Sequence, residues 1–344
     1  MVVPWLFHSI LLLAFLLHKA AAQTTASLAK PGCSQYCGNV VIPFPFGIGE
    51  NCYLDKWFEI KCEFERPSLA SVGLDVLQIT LATYEEKPGI IRVQSPIIYS
   101  NCSGVGSTNA SVSLEGSPFV FSQTKNRFGA VGCNTRALLR GAESTVTGCE
   151  SVCEGGRTKT NFSSCSGKNC CQDKIPVDLK IFNVSIGSIG PGKDEEGSKY
   201  AFLVEREWLV SNMTDPLTSP YMENVPVVLD WGLNKVSLDA LGQRNDRADF
   251  TSYYCGLTSD LSYLKYENST TQCACYYGYN GNPYLADGCK DISMSLYVTS
   301  TPSSHDLLDI NESGYPAHCQ EHVRTFVGAT HADFKEAFRP GSSL

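Results

Sequence analysis

Hydrophobic and polar positions along this chain alternate over short spans that turn residues interrupt. LDVLQITL (Leu74–Leu81) mixes alternation with an apolar run, and GIIRV (Gly89–Val93) and PIIY (Pro96–Tyr99) follow after turn signals. PFVF (Pro118–Phe121), GAVG (Gly129–Gly132), VDLKIFNV (Val177–Val184) and VPVVL (Val225–Leu229) continue the theme. Short strands at this spacing, among 29 Gly and 17 Pro, predict an all-β fold of disulfide-rich, β-sandwich-like modules. AFLVEREWLV (Ala201–Val210) fits a strand or one short helix, and a strand is the expectation. No repeat of fixed period and no heptad pattern runs through the sequence.

VVIPFPFGIGENC (Val40–Cys52) breaks the pattern. Each proline removes a backbone donor and pushes the preceding residue into extended geometry, so a helix and a central strand are both excluded. An extended or polyproline-like edge is expected here, with Phe44 and Phe46 packing between Cys37 and Cys52. In the following segment, strand geometry over Tyr53–Lys61 would put Tyr53, Asp55, Trp57, Glu59 and Lys61 on one face, and Lys56 and Phe58 on the other.

The N-terminus adds a compartment. Leu6–Leu17 is apolar and Ala20-Ala21-Ala22 offers a small-residue cleavage site, so residues 1–22 read as a signal peptide cut before Gln23. Seven Asn-X-Ser/Thr sequons (Asn101, Asn109, Asn161, Asn183, Asn212, Asn268, Asn311) suit a secreted glycoprotein. The 16 cysteines then read as disulfides rather than metal ligands. They are Cys33, Cys37, Cys52, Cys62, Cys102 and Cys133, then Cys149, Cys153, Cys165, Cys170 and Cys171, then Cys255, Cys273, Cys275 and Cys289, with Cys319 beyond. The 15 from Cys33 to Cys289 leave one thiol unpaired or joined to Cys319. After the signal no apolar run approaches the roughly 20 residues of a spanning helix, so no membrane span is expected.

Charge and histidine exclude several chemistries. Net charge −8 with 18% charged residues argues against nucleic acid. All six histidines lie at the ends (His8, His18, His305, His318, His322, His331), which denies the main body a Cys₂His₂ zinc site, a Ser-His-Asp triad or a Cys-His pair. Carboxylate-only chemistry survives this test, but the expectation is no enzyme, no catalytic residue, no cofactor and no metal.

CGNVVIPFPFGIGENCYLDKWFEIKCE (Cys37–Glu63), AVGCNT (Ala130–Thr135), GCESVC (Gly148–Cys153), NCCQDKIP (Asn169–Pro176) and LDW (Leu229–Trp231) resemble the ectodomain of plant wall-associated receptor kinases. CACYYGYNGNPYLADGCKDI (Cys273–Ile292) resembles the EGF-like module that follows there, with four cysteines where such modules carry six. DINES (Asp309–Ser313) is a near-miss to a calcium-binding EGF-like start, with Ser313 at the cysteine position, and no calcium site is assigned. The expected organisation is a galacturonan-binding module at 33–137, a second cysteine-rich β module at 138–254, a partial EGF-like module at 255–292 and an irregular tail at 293–344.

The resemblance implies contact with pectin, a polymer of galacturonate in the cell wall. Such a ligand asks for lysine or arginine at its carboxylates and for aromatic rings under its C–H faces. Between Cys33 and Cys165 there are 12 acidic and 11 basic residues, so the cations must cluster to serve a polyanion. Lys56, Trp57 and Lys61 are the leading ligand candidates, followed by Arg92, Lys125 and Arg127. The plainer readings are a core role for Trp57 and ordinary solvated surface for the lysines. Three rivals stand beside pectin binding: a soluble co-receptor or decoy that binds a peptide or another ectodomain, a glycan-active enzyme, which the missing histidines disfavour, and a non-functional truncated product.

Overall fold

The computed structural model describes residues 27–85, 87–100, 111–141, 145–153, 165–189, 199–213, 222–241, 252–257 and 271–292. The signal segment, Asn101, Asn109, Asn161, Asn268, Asn311, Cys102, Cys319 and the tail from 293 lie outside the described residues. Asn183 and Asn212 are described, and both are exposed.

Strands dominate, as the alternation predicts, and they pair antiparallel in three larger sheets. The six-stranded sheet runs Ile60–Glu63, Arg66–Leu69, Leu74–Ile79, Ile90–Pro96, Asn224–Asp230, Val120–Phe121. Leu74, Val76 and Ile79 turn inward on one strand, and Ile91, Val93 and Ser95 on its neighbour. A register shift between Val76 and Gln78 explains the uneven spacing of the first set. Asn224–Asp230 pairs along Ile90–Pro96 from Asn224 opposite Pro96 to Asp230 opposite Ile90, so the sheet joins segments far apart in sequence.

The five-stranded sheet runs Ser166–Lys168, Cys170–Asp173, Asn126–Val131, Tyr200–Glu205, Ile98–Tyr99. Its strand Tyr200–Glu205 is buried on both faces, which accounts for an apolar run without alternation. Tyr200, Phe202 and Val204 enter one apolar cluster, while Ala201 and Leu203 enter the main core. The four-stranded sheet runs Thr145–Ser151, Thr135–Arg140, Ile181–Ser188, Val112–Ser113.

Three local expectations need correction. AFLVEREWLV is not one strand: the strand stops at Glu205 and a helix covers Arg206–Asn212. Leu209 and Met213, one turn apart, bury a single helical stripe there, while the Arg206 amide donates to the Lys125 carbonyl at 2.8 Å. PFPF is not an extended edge. The Phe44–Pro45 peptide is cis, and the Phe46 amide donates to the Pro43 carbonyl at 2.9 Å, a tight turn of the kind that carries cis-proline at its third position. Residues Ile42 to Gly47 are all buried. Tyr53–Lys61 is not a continuous strand either; a 3-10 turn over Lys56–Phe58 precedes the strand Ile60–Glu63.

The main core gathers around rings. Phe46 meets Phe58 at 5.0 Å and Trp231 at 5.3 Å, both edge-on, and Phe119 packs at 5.7 Å from Phe58. Trp231 in turn touches Tyr284 at 5.8 Å, which carries the core into the C-terminal cysteine-rich segment. Gly47 is required at this junction, because a Cβ there would run into the Cys52 carbonyl.

Two buried amides fasten that segment to the first one. The Gln272 side chain accepts from Gly89 N–H at 2.7 Å and donates to the Gly89 and Trp231 carbonyls. The Asn282 Nδ2 donates to the Leu28 and Phe44 carbonyls at 2.6 and 2.7 Å. Every hydrogen bond here satisfies a group that would otherwise be stranded away from water.

All fourteen described cysteines pair: Cys33–Cys52, Cys37–Cys62, Cys133–Cys153, Cys149–Cys171, Cys165–Cys170, Cys255–Cys273 and Cys275–Cys289. The odd residue among the 15 is Cys102. Among the described residues no helix is long and apolar enough to cross a membrane, and no group of His, Cys, Asp and Glu is placed to hold a metal.

Candidate ligand-binding site

The segment between Cys52 and Cys62 presents its cations through a short turn. Asp55 sits in extended geometry and its Oδ1 accepts from the Trp57 amide at 2.8 Å, while Phe58 N–H donates to the Asp55 carbonyl. With three residues per turn, successive side chains diverge by about 120°. Phe58 is thus driven into the core, and Lys56 and Trp57 are left outward. Trp57 is half-buried against the core. Gly116, at φ +74°, lies beside the indole, where a Cβ would stand 3.6 Å from Trp57 Cζ2. Lys56 Nζ lies 5.1 Å from the centre of the Trp57 ring. This cation-over-ring contact leaves the ammonium exposed and gives the indole a positive rim.

Lys61 is exposed on the edge strand Ile60–Glu63, opposite Ser68. Lys56, Trp57 and Lys61 therefore lie within one stapled segment, between Cys33–Cys52 on one side and Cys37–Cys62 on the other.

Arg92, Lys125 and Arg127 form a different neighbourhood. Arg92 lies three strands from Lys61 in the six-stranded sheet, about 14 Å at the usual strand spacing. Its Nε donates to Glu205 Oε2 at 2.6 Å, and both side chains are largely covered. Asn126 stands opposite Glu205 in the five-stranded sheet, and Arg127 stands opposite Val204. Arg127 donates to the Asn126 carbonyl at 2.8 Å. Burial, and then the neighbouring Arg206, pull its pKa below the usual arginine value, with Asp173 opposing. Lys125 is exposed, and its carbonyl is the acceptor for Arg206.

Sequence reasoning missed Glu205, which turns Arg92 from a candidate contact into half of an ion pair. No spacing rule relates these two residues, because the pairing bridges two sheets. It also missed a group of exposed tyrosines around Tyr84 and Tyr276. The available signal was the density of tyrosine in YYGYNGNPY (Tyr276–Tyr284).

Among the described residues, antiparallel sheets and seven disulfides define a disulfide-rich all-β protein of the kind that folds in oxidising compartments. Its sequence carries modules matched in the ectodomain of the wall-associated receptor kinases. Residues 33–93 match the family described as wall-associated receptor kinase galacturonan-binding, and residues 162–238 match the wall-associated kinase family. Wall-associated receptor kinase-like 6 of Arabidopsis thaliana is 32% identical over 284 residues, covering 76% of this chain and 44% of the relative. Wall-associated receptor kinase-like 5 and 3 of the same plant are 33% and 32% identical, covering 76% and 79% of this chain and 38% and 40% of their own lengths. The chain thus spans less than half the length of these curated relatives. No solved structure matches it.

Proposed function

We propose that this chain binds pectic polysaccharide, galacturonan or its fragments, non-covalently and without catalysis, as a secreted protein of the cell wall. The observation that carries this reading is the match of residues 33–93 to the galacturonan-binding family. Lys56, Trp57 and Lys61 lie inside that segment on outward positions and supply the chemistry a polyuronate requires: ammonium groups for carboxylates and an indole for a sugar face. Lys125 and Arg127 offer a secondary contact, while Arg92 serves to hold Glu205. Affinity comes from weak contacts repeated along the polymer.

The test is calorimetric titration of the secreted chain with hexagalacturonate at low and high salt. Binding should weaken steeply as salt rises, and Lys56→Ala with Lys61→Ala should lower affinity about tenfold. Absent binding, or binding that neither salt nor the double substitution changes, overturns the proposal.

One observation favours a second reading, a module that recognises a protein or peptide. Phe64 is 96% exposed at the tip of the hairpin between Ile60–Glu63 and Arg66–Leu69. Phe64 and Glu65 both adopt left-handed backbone, at φ 49° and 63°, an uncommon setting for a bulky residue. Under that reading Phe64→Asn keeps the turn, because asparagine tolerates this geometry, and abolishes pull-down of the partner ectodomain. A partner retained by Phe64→Asn removes the second reading.

A further inference from the structure

Four tyrosines from three separate segments meet on the surface of this fold. Tyr84 follows the strand Leu74–Ile79, Tyr254 lies on Tyr253–Leu257, and Tyr276 and Tyr277 follow Gln272–Cys275. Tyr254 and Tyr276 stack at 5.1 Å with their planes 29° apart. Tyr84 stands edge-on to Tyr254 at 6.3 Å and tilts toward Tyr277 at 5.8 Å. Mutual contact has not buried them: Tyr84 and Tyr276 are about half exposed and Tyr277 is 81% exposed.

Tyr84 also forms one wall of an adjoining groove of about 370 Å³. Leu28, Pro43, Ile79 and Ala82 line it from the N-terminal part of the chain, and Tyr279 and Asn280 from the C-terminal segment. The buried amides Gln272 and Asn282 fix those two segments to each other, so the groove is a preformed feature of the fold.

The charges set this surface apart from the Lys56 segment. Among the described residues, no lysine, arginine, aspartate or glutamate lines the groove. The tyrosine cleft beside it adds only Glu85, whose carboxylate accepts from Lys87 at 2.6 Å. A polyuronate would meet no cation in either lining. A neutral pyranose would meet flat ring faces for its C–H surfaces, with phenolic hydroxyls and the Asn280 amide for its hydroxyl groups. A standard protein interface covers about 800 Å² on each partner. A groove of about 370 Å³ falls instead within the roughly 300–1,000 Å³ of small-ligand sites, enough for a short run of sugars.

We infer that this tyrosine-lined seam is a glycan-binding site for neutral polysaccharide, separate from the surface around Lys56, Trp57 and Lys61. Its rings come from the first module and the C-terminal cysteine-rich segment together, so neither segment forms it alone.

The experiment titrates the secreted, glycosylated chain with cellohexaose, xylohexaose and mannohexaose, and with hexagalacturonate for comparison, at low and high salt. At least one neutral hexasaccharide should bind with little salt dependence. Tyr84→Ala and Tyr277→Ala should each weaken that binding about tenfold, whereas Tyr277→Phe, which keeps the ring, should retain most of it. The same tyrosine variants should leave the hexagalacturonate isotherm unchanged, and Lys56→Ala should leave the neutral one unchanged. Tyr277 is so exposed that its replacement spares the fold, which an unaltered thermal midpoint would verify. Failure of all three neutral hexasaccharides to bind overturns the inference, as does binding that the tyrosine variants leave intact. Equal loss of neutral and acidic binding in those variants removes the separateness of the site. Hexagalacturonate binding that fails in the wild-type chain bears on the pectin reading alone.

Discussion

Two aromatic clusters in this protein draw on the same stretches of chain and end in opposite environments. Phe46, Phe58, Phe119, Trp231 and Tyr284 interlock in the core, while Tyr84, Tyr254, Tyr276 and Tyr277 meet on the surface. Each takes rings from the first module and from the C-terminal cysteine-rich segment. The buried cluster is built from phenylalanine and tryptophan, and its one phenol, Tyr284, has a partner: the Cys273 amide donates to its hydroxyl at 2.9 Å. The outer cluster is built from tyrosine throughout. A hydroxyl is costly to bury without a partner and costs nothing at the surface, so composition alone sorts the rings. The buried set ties distant segments together, and the outer set presents rings to the surface.

That comparison can be broken first at Phe46. Phe46→Ala should cost about 3–5 kcal/mol by emptying the centre of the ring cluster, and would show as a sharp drop in secreted yield and in the urea midpoint. Asn282→Ala should cost about 1–3 kcal/mol, since it leaves the Leu28 and Phe44 carbonyls unpaired at the seam. Chemical denaturation of the disulfide-intact protein measures it.

Tyr284→Phe should cost about 1 kcal/mol at neutral pH, from the lost bond to Cys273. Its pH dependence is the sharper readout. Burial pushes the Tyr284 hydroxyl's pKa up. A group whose folded pKa is raised contributes stability that is fully present below the unfolded value, about 10 for tyrosine, and is lost as pH rises toward the folded value. The wild-type thermal midpoint should therefore fall above about pH 10, and fall less steeply in Tyr284→Phe. Smallest of all, Tyr277→Ala should change stability by no more than about 0.5 kcal/mol. An outer-ring substitution as damaging as Phe46→Ala would erase the distinction between the clusters.

Much of the fold is legible in the chain. Strands at Leu74–Ile79, Ile90–Pro96 and Asn224–Asp230 follow from local apolar patterning, and a disulfide framework follows from the number of cysteines. Turns defeated the same reasoning where a distant partner decides the outcome. PFPF is drawn inward because Leu28, Asn282 and Phe58 surround it, and none of them is near it in a local window. AFLVEREWLV changes from strand to helix at Glu205, where the adjacent strand ends and Lys125 supplies an acceptor for the next amide. Of the candidate ligand residues, Lys56, Trp57 and Lys61 share one short stapled segment, a proximity that their spacing already implies. Arg92 pairs with Glu205, 113 residues away, a partner that no local window contains.

The pairing of Asn224–Asp230 with Ile90–Pro96 also sets a timetable for synthesis. A ribosome adding about 5–20 residues per second releases residue 96 on the order of ten seconds before residue 230 follows. Through that interval the strand holding Ile91 and Val93 is an open edge, a template for any stray strand. The bridges Cys33–Cys52 and Cys37–Cys62 are complete in the first 62 residues, so oxidation can close them early. A nascent chain stalled with its first hundred or so residues released but Asn224–Asp230 not yet made should therefore resist thiol alkylation at those four cysteines while its unpaired strands stay open to protease. The staples act as a clasp that holds the first module together until its missing neighbour emerges.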